Sequence, residues 1–350
     1  MPVVWTDDHR LHDPGGEVWV GIRTPAAETP ERAERLRERL AAHGATFVDA
    51  RPQPDEAVTS VHDRTLVEYL AAAWDEWEAA GLTKEPGQDR VVPYLFPHPS
   101  LFSGRPAHTA TAITARAGQF AYDTMTLIGP GTYRAARAAL DAAVTGAELV
   151  LSGAPAAYAC CRPPGHHVTR DCFGGSCYLN NSAAAAARLR AAASAPVAVL
   201  DIDAHHGNGT QAIFWDDGDV LTGSVHVDPG AGWFPHFLGF EDETGSGANC
   251  NIALSAGARD DAWLAAVAAL ADWVRERGAR SLVVALGVDA ADGDRESPLA
   301  VSPTGFRAAG RTLGRLGLPT VVVQEGGYDL TLIGDLVCEV LLGIEEGASA

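Results

Sequence analysis

The chain has little of what a nucleic-acid-binding, secreted or membrane protein needs. Lys84 is its only lysine, and arginine supplies the rest of 26 basic residues set against 45 acidic ones, for a net charge of -19. A nucleic-acid surface requires a basic footprint, so no nucleic-acid partner is expected, and the acidic surface favours cationic ones. None of the six cysteines stands in C-x-x-C spacing, and Cys160 and Cys161 are adjacent. That usage excludes a cysteine-ligated metal motif and fits reduced thiols in a cytoplasmic protein. The N-terminal Met-Pro-Val-Val-Trp-Thr-Asp-Asp carries neither a basic region nor an apolar one, so no secretory signal is expected. No run is long and apolar enough to span a bilayer, so no membrane partner is expected either.

The chain does have enough apolar residues, 47% of 350, to fill one large core. Pro196-Val-Ala-Val-Leu200, Leu221–Val227, Ser281–Asp289 and Pro319–Tyr328 are short, β-branched and nearly unbroken, as strands buried on both faces are. Val3–Trp5, Val18–Val20 and Thr46–Val48 read as further short strands. Helices are expected from Thr29-Pro30 to about His43, Thr65 to Ala80, Thr132 to Leu151, Asn181 to Ala193, Asp260 to Arg277, and Ser302-Pro303 to about Leu316. Proline in the first turn and glycine after the last mark several of them. Strand–helix alternation through the C-terminal two-thirds predicts a parallel, doubly wound α/β sheet. From about 84 to 129 the pattern breaks down, with proline, glycine, histidine and aromatics recurring without a period. So long an irregular insertion in a compact domain is expected to serve function, as an active-site rim or a partner-binding arm. His9 and His12 are candidates for shaping an entrance.

Three buried strands end in chemistry. Asp203 and His205 follow Leu200, Asp289 ends the strand from Ser281, and Tyr328 ends the one from Pro319. In a parallel sheet such ends lie at one edge, where ligands bind. Asp203 and His205 alternate with Ala204, so an extended backbone past Asp203 would turn both side chains to one side. Two carboxylates and an imidazole suit zinc, which accepts oxygen and nitrogen donors and, in catalytic sites, three protein ligands. A polar turn without an ion is the plainer alternative, but burying such a cluster without a cation is costly. Arg162-Pro-Pro-Gly-His166-His167 presents two adjacent imidazoles, either able to move protons near neutrality. Asp201 and Asn208 flank the ligand run and are placed to hydrogen-bond the far nitrogens of the histidines, setting their tautomers.

Together R-P-P-G-H-H (162–167), G-G-S-C-Y-L-N-N (174–181), D-I-D-A-H-H-G-N-G-T-Q (201–211), L-G-V-D (286–289) and E-G-G-Y (325–328) resemble the zinc-dependent histone deacetylase family, in order and spacing, over about residues 130–340. Phe234-Pro-His-Phe-Leu-Gly-Phe240, the insertion and Asn208 look most like the bacterial acetylpolyamine amidohydrolases. The resemblance implies a single arginase–deacetylase domain over 1–350 with a central parallel sheet of about eight strands. It also implies one zinc on Asp203, His205 and Asp289, with His167 as general base and acid and His166 as its electrostatic partner. Tyr328 would hydrogen-bond the substrate carbonyl, and Gly175, Ser176 and Phe234 would line a substrate tunnel. A structural potassium would sit on Asp201, Asp203, the His205 carbonyl, Ser224 and Val225. The implied activity is removal of an acetyl or other acyl group from an amine, and the insertion resembles an arm used for homodimer contacts.

Departures bear on the substrate. Ser176 stands where an aromatic normally lines the tunnel. Between Pro86 and Glu148 only Asp89, Asp123 and Asp141 are acidic, fewer than a polyamine tail would call for. Arg295 replaces the usual proline after Asp294. The alternatives are a protein lysine deacetylase, a deacylase of a secondary-metabolite amine and, more remotely, a binuclear manganese ureohydrolase. The last needs D-x-H-x-D, and Gly207 occupies its final position.

Overall fold

The computed structural model describes residues 1–192 and 196–350. Its strands are β1 (Pro2–Trp5), β2 (Glu17–Trp19), β3 (Ile22–Thr24), β4 (Thr46–Asp49), β5 (Ala156–Ala159), β6 (Val197–Asp201), β7 (Val220–Val227), β8 (Asn249–Leu254), β9 (Ser281–Leu286) and β10 (Thr320–Gln324). Eight of them form one sheet in the order β4-β1-β5-β10-β9-β6-β7-β8, while β2 and β3 pair as a separate antiparallel hairpin. Every neighbouring pair in the large sheet is parallel.

Side-chain alternation divides the sheet between two cores. On one face Val199, Val283, Val321 and Val323 pack under the helices Arg64–Ala79, Thr132–Leu151 and Asn181–Ala192. On the other, Ala198, Leu200, Val284 and Val322 meet the helices Pro30–Ala42, Asp260–Glu276, Pro303–Gly314 and Ile333–Ala348. Helices on both faces explain why β5, β6, β7, β9 and β10 are buried along their whole length.

Several expectations need correction. Ala156–Ala159, Asn249–Leu254 and the helix Ile333–Ala348 carry no clear signal in the sequence. The first is alanine-rich and the second carries two asparagines in its first half, so neither reads as a strand without its neighbours. The insertion is not wholly irregular, because Ile113–Phe120 is helical and buries Ile113, Ala117 and Phe120. Ala193, the expected end of the alanine-rich helix, lies outside the described residues. Among the described residues no helix is long and apolar enough to cross a membrane.

Candidate active site

The polar residues gather at the carboxyl ends of β6, β9 and β10, which are adjacent in the sheet. Neighbouring strands lie about 5 Å apart, so groups at three consecutive strand ends fall within one pocket. The strand β6 stops at Asp201, two residues short of the extended path that would align Asp203 with His205. A tight turn replaces it: the His205 N–H donates to Asp203 Oδ1 at 2.9 Å, and the Asp203 N–H to Asp201 Oδ1 at 3.1 Å. The Gly326 N–H, from the segment after β10, donates to Asp203 Oδ2 at 2.8 Å, and the Ala204 N–H to Asp289 Oδ1 at 2.9 Å.

These bonds aim one atom each from Asp203, His205 and Asp289 at a common point, all within 4.8 Å of one another. His205 Nδ1 lies 3.3 Å from Asp203 Oδ1 and 3.1 Å from Asp289 Oδ2. His205 Nε2 lies 3.0 Å from the Glu296 carbonyl. A carbonyl only accepts, so Nε2 carries the proton and the Nδ1 lone pair is directed at the carboxylates. Asp203 and Asp289 are fully buried. Burial and then the neighbouring charge of Asp203 push Asp289 up to about 7. Burial opposes the charge of Asp203 too, yet the neighbouring His166 holds it well below the usual carboxylate range. Two buried carboxylates repelling across an imidazole lone pair fit a divalent cation of the zinc type.

The two histidines of the Pro-Pro-Gly turn stack beside this triad, ring centroids 3.9 Å apart. His166 Nδ1 donates to Asp201 Oδ2 at 2.9 Å. Burial works against its charge, but Asp201 and Asp203 outweigh it and push the imidazole up to about 10. His167 Nδ1 donates to Asn208 Oδ1 at 2.7 Å, and the Asn208 amide nitrogen reaches back to the His167 carbonyl at 3.4 Å. Burial and the nearby His166 and His205 hold His167 well below its ordinary value. One ring is thus a cation and its neighbour a neutral base with Nε2 free, and the difference comes from an aspartate under one and an asparagine under the other.

Tyr328 follows β10 through Glu325-Gly326-Gly327. Its N–H and that of Asp329 both donate to Asp294 Oδ2, at 2.8 and 3.2 Å. Its side chain is half-buried, and burial raises its phenol well above 10, with Asp289 and Asp203 adding to the effect against Arg32. Phe234 meets His167 edge-on at 4.7 Å. Gly175 has φ of +60°, and a Cβ there would collide with the His167 ring. Ser176 also has positive φ, +61°, and its N–H donates to Thr126 Oγ1 at 2.9 Å. In the β6–β7 ladder Asp201 pairs with Ser224, and Val225 is the next residue along β7. A void of about 10 Å³, lined in part by Asp201, Gly207 and Ser224, lies against them.

Sequence reasoning missed the scaffold beneath the site. The Arg32 guanidinium donates to the Gly327 and Glu325 carbonyls, each at 2.6 Å, and covers the Tyr328 ring 4.7 Å from its centroid. Glu28, just ahead of the helix that begins at Pro30, pairs with Arg32 at 2.9 Å and with Arg162 at 2.8 Å. Glu325 accepts from the Gly165 and His166 N–H groups and from Ser182. The i, i+4 spacing of Glu28 and Arg32 was the one available signal, and it is common on surface helices too. His9 and His12 do not shape the entrance; they are fully buried, beside Trp5 and against Thr132 and Glu28 respectively.

An acidic–imidazole triad, an imidazole pair and a phenol at the carboxyl edge of a parallel sheet define a hydrolase site of the arginase–deacetylase type. The comparisons with known proteins agree. Residues 26–344 match the histone deacetylase domain. The acetylpolyamine amidohydrolase of Mycoplana ramosa is 38% identical over 349 residues, covering 98% of this chain and 99% of that protein. Acetylpolyamine amidohydrolase 2 of Pseudomonas aeruginosa is 36% identical, covering 99% of each. The crystal structure of an acetylpolyamine aminohydrolase from Burkholderia pseudomallei superimposes with a TM-score of 0.92 at 35% identity over 99% of each chain. This chain belongs to the histone deacetylase family, and is a deacetylase-type hydrolase.

Proposed function

We propose that this protein hydrolyses the acetamide of acetylated alkylamines, acetylpolyamines foremost, to acetate and the free amine. The observation that carries this reading is the convergence of Asp203, His205 and Asp289 on one point beside a neutral His167. The names of the relatives support the choice of amine. Those three residues would hold zinc, which when bound supplies Lewis acidity toward an amide carbonyl and toward water. His167 Nε2 accepts a proton from the attacking water and returns it to the departing amine nitrogen. His166, kept cationic by Asp201, disfavours a second positive charge on His167, so that ring rests neutral and readily gives up the proton it takes. The Tyr328 hydroxyl donates to the carbonyl oxygen as it gains charge. Gly175, Ser176 and Phe234 form the tunnel around the acyl-amine.

Asp201, Asp203, the His205 carbonyl, Ser224 and Val225 are the proposed potassium site, and the in-register pairing of Asp201 with Ser224 supports it. Exposed Tyr94, Leu95 and Leu101 in the insertion support a role for that segment in pairing two copies, and a cytoplasmic location fits the free thiols. Chelator-treated protein is expected to lose release of acetate from N-acetylputrescine and to regain it with Zn²⁺ or Co²⁺, at one metal per chain. Full activity in metal-free protein, or two transition-metal ions per chain, would overturn the reading.

A further inference from the structure

Ser176 brings no aromatic ring to the tunnel, and the turn just before it, at Gly174, packs against one from the insertion. Tyr122, from the insertion, lies nearly parallel to Phe234, with an interplanar angle of 18° and centroids 6.3 Å apart. Its hydroxyl donates to the His167 carbonyl at 3.0 Å, which pins the ring beside the base. Gly174 makes the close approach possible: a Cβ there would come within 2.5 Å of two Tyr122 ring carbons. Tyr122 and Phe234 both line a cavity of about 550 Å³, together with Trp19, Phe96, Met125 and Phe237 among others.

The one carboxylate lining that cavity is Asp123, and its oxygens are already engaged. Oδ1 accepts from the Met125 and Thr126 N–H groups at 3.0 and 2.9 Å. Oδ2 accepts from the Gly175 N–H at 2.6 Å and from Thr126 Oγ1 at 3.1 Å. Asp123 therefore ties the Gly174-Gly175 turn to the insertion and has little left to offer an ammonium group. The remaining lining is mostly apolar and aromatic, which favours methylene groups over charge.

We propose that Tyr122 is a specificity-determining residue, the substitute wall of the acyl-amine tunnel, and that the mouth it builds with Phe234 recognises the alkyl stem of the substrate amine by apolar contact rather than its distal charge by ion pairing. This rests on the amide-hydrolase reading, and the test separates the two.

In zinc-loaded enzyme, Tyr122→Ala is expected to raise KM about tenfold with kcat changed by less than about threefold, the signature of lost uniform binding. Tyr122→Phe keeps the ring and should stay near wild type in KM. Ser176→Tyr placed in the Tyr122→Ala background should restore KM, because it returns an aromatic to the same wall. N-pentylacetamide, which puts a methyl where N-acetylputrescine carries its ammonium, should be turned over within about tenfold of it in kcat/KM. Calorimetric binding of N-pentylacetamide to zinc-loaded His167→Ala, with and without Tyr122→Ala, reads the same wall without turnover. Weaker binding in the Tyr122→Ala protein supports the wall even if no amide tested is hydrolysed, an outcome that would sink only the hydrolase reading. Unchanged KM and unchanged binding in Tyr122→Ala, or a preference for N-acetylputrescine above about a hundredfold, would overturn the inference.

Discussion

His62 is one place where the protonation state of a single buried ring can be derived from its neighbours and carried through to a stability. Its Nδ1 lies 2.9 Å from the Thr169 carbonyl, so Nδ1 carries a proton. Its Nε2 accepts the Asn180 N–H at 2.8 Å, so Nε2 does not. The ring therefore joins the loop after His167 to the segment after Gly175 only while it is neutral. Burial lowers His62 from 6.5 to about 4. The unfolded chain binds its proton first, so the stability this ring contributes is whole above pH 6.5 and drains away as pH falls toward 4. A gap of that size corresponds to about 3 kcal/mol in full, of which about 2.5 is already lost at about pH 4.5. Urea denaturation of wild type and of His62→Gln, at about pH 7.5 and pH 4.5, isolates the contribution from that of other buried histidines, since glutamine does not titrate. Wild type should lead at the higher pH, and its lead should shrink by about 2.5 kcal/mol at the lower one. If the difference between the two proteins is the same at both pH values, the neutral, doubly bonded ring is the wrong description.

Tyr328→Phe, which keeps the ring and removes the donor, should lower kcat by roughly 10²–10³ with KM little changed, measured on N-acetylputrescine. Gly175→Ala meets both a positive φ and the His167 ring, so its kcat should fall while zinc content by atomic absorption stays at wild-type level. Arg32→Met leaves Glu28 with Arg162 and His12 as partners and frees the carbonyls on either side of Gly326; a loss of about 3–5 kcal/mol in denaturant unfolding is expected for a broken buried pair. Loss below about 1 kcal/mol would mean that Arg32 does not hold the Tyr328 turn.

The residues at the strand ends were readable because their chemistry is local in sequence. Apolar runs stop abruptly at Asp201, Asp289 and Gln324, and each stop is followed within a few residues by a group that is costly to bury alone. Parallel topology then brings such ends to one edge, so Asp203, His205, Asp289 and Tyr328 could be grouped on paper from the strand ends, while the turn that aims Asp203 and His205 could not. The family resemblance rested on the same local runs. Asn208 was visible beside the ligand run as well, but its consequence, a neutral ring beside a cationic one, needed the 2.7 and 2.9 Å bonds to two different partners.

The tertiary structure alone decided what surrounds that edge. Arg32 is 295 residues from Gly327, and Tyr122 is 45 from His167; no periodicity links residues that meet only because separate layers pack together. Ser176 in sequence shows only that an aromatic is missing, and only the packed insertion reveals that Tyr122 lies against Gly174 and faces Phe234. Ala156–Ala159 is a strand because β1 and β10 flank it with open backbone groups that must be satisfied. Composition and local pattern thus determined the parallel sheet and the reactive groups at its edge. Long-range packing determined how those groups are held, charged and enclosed, because burial and hydrogen-bond partners are properties of neighbours in space.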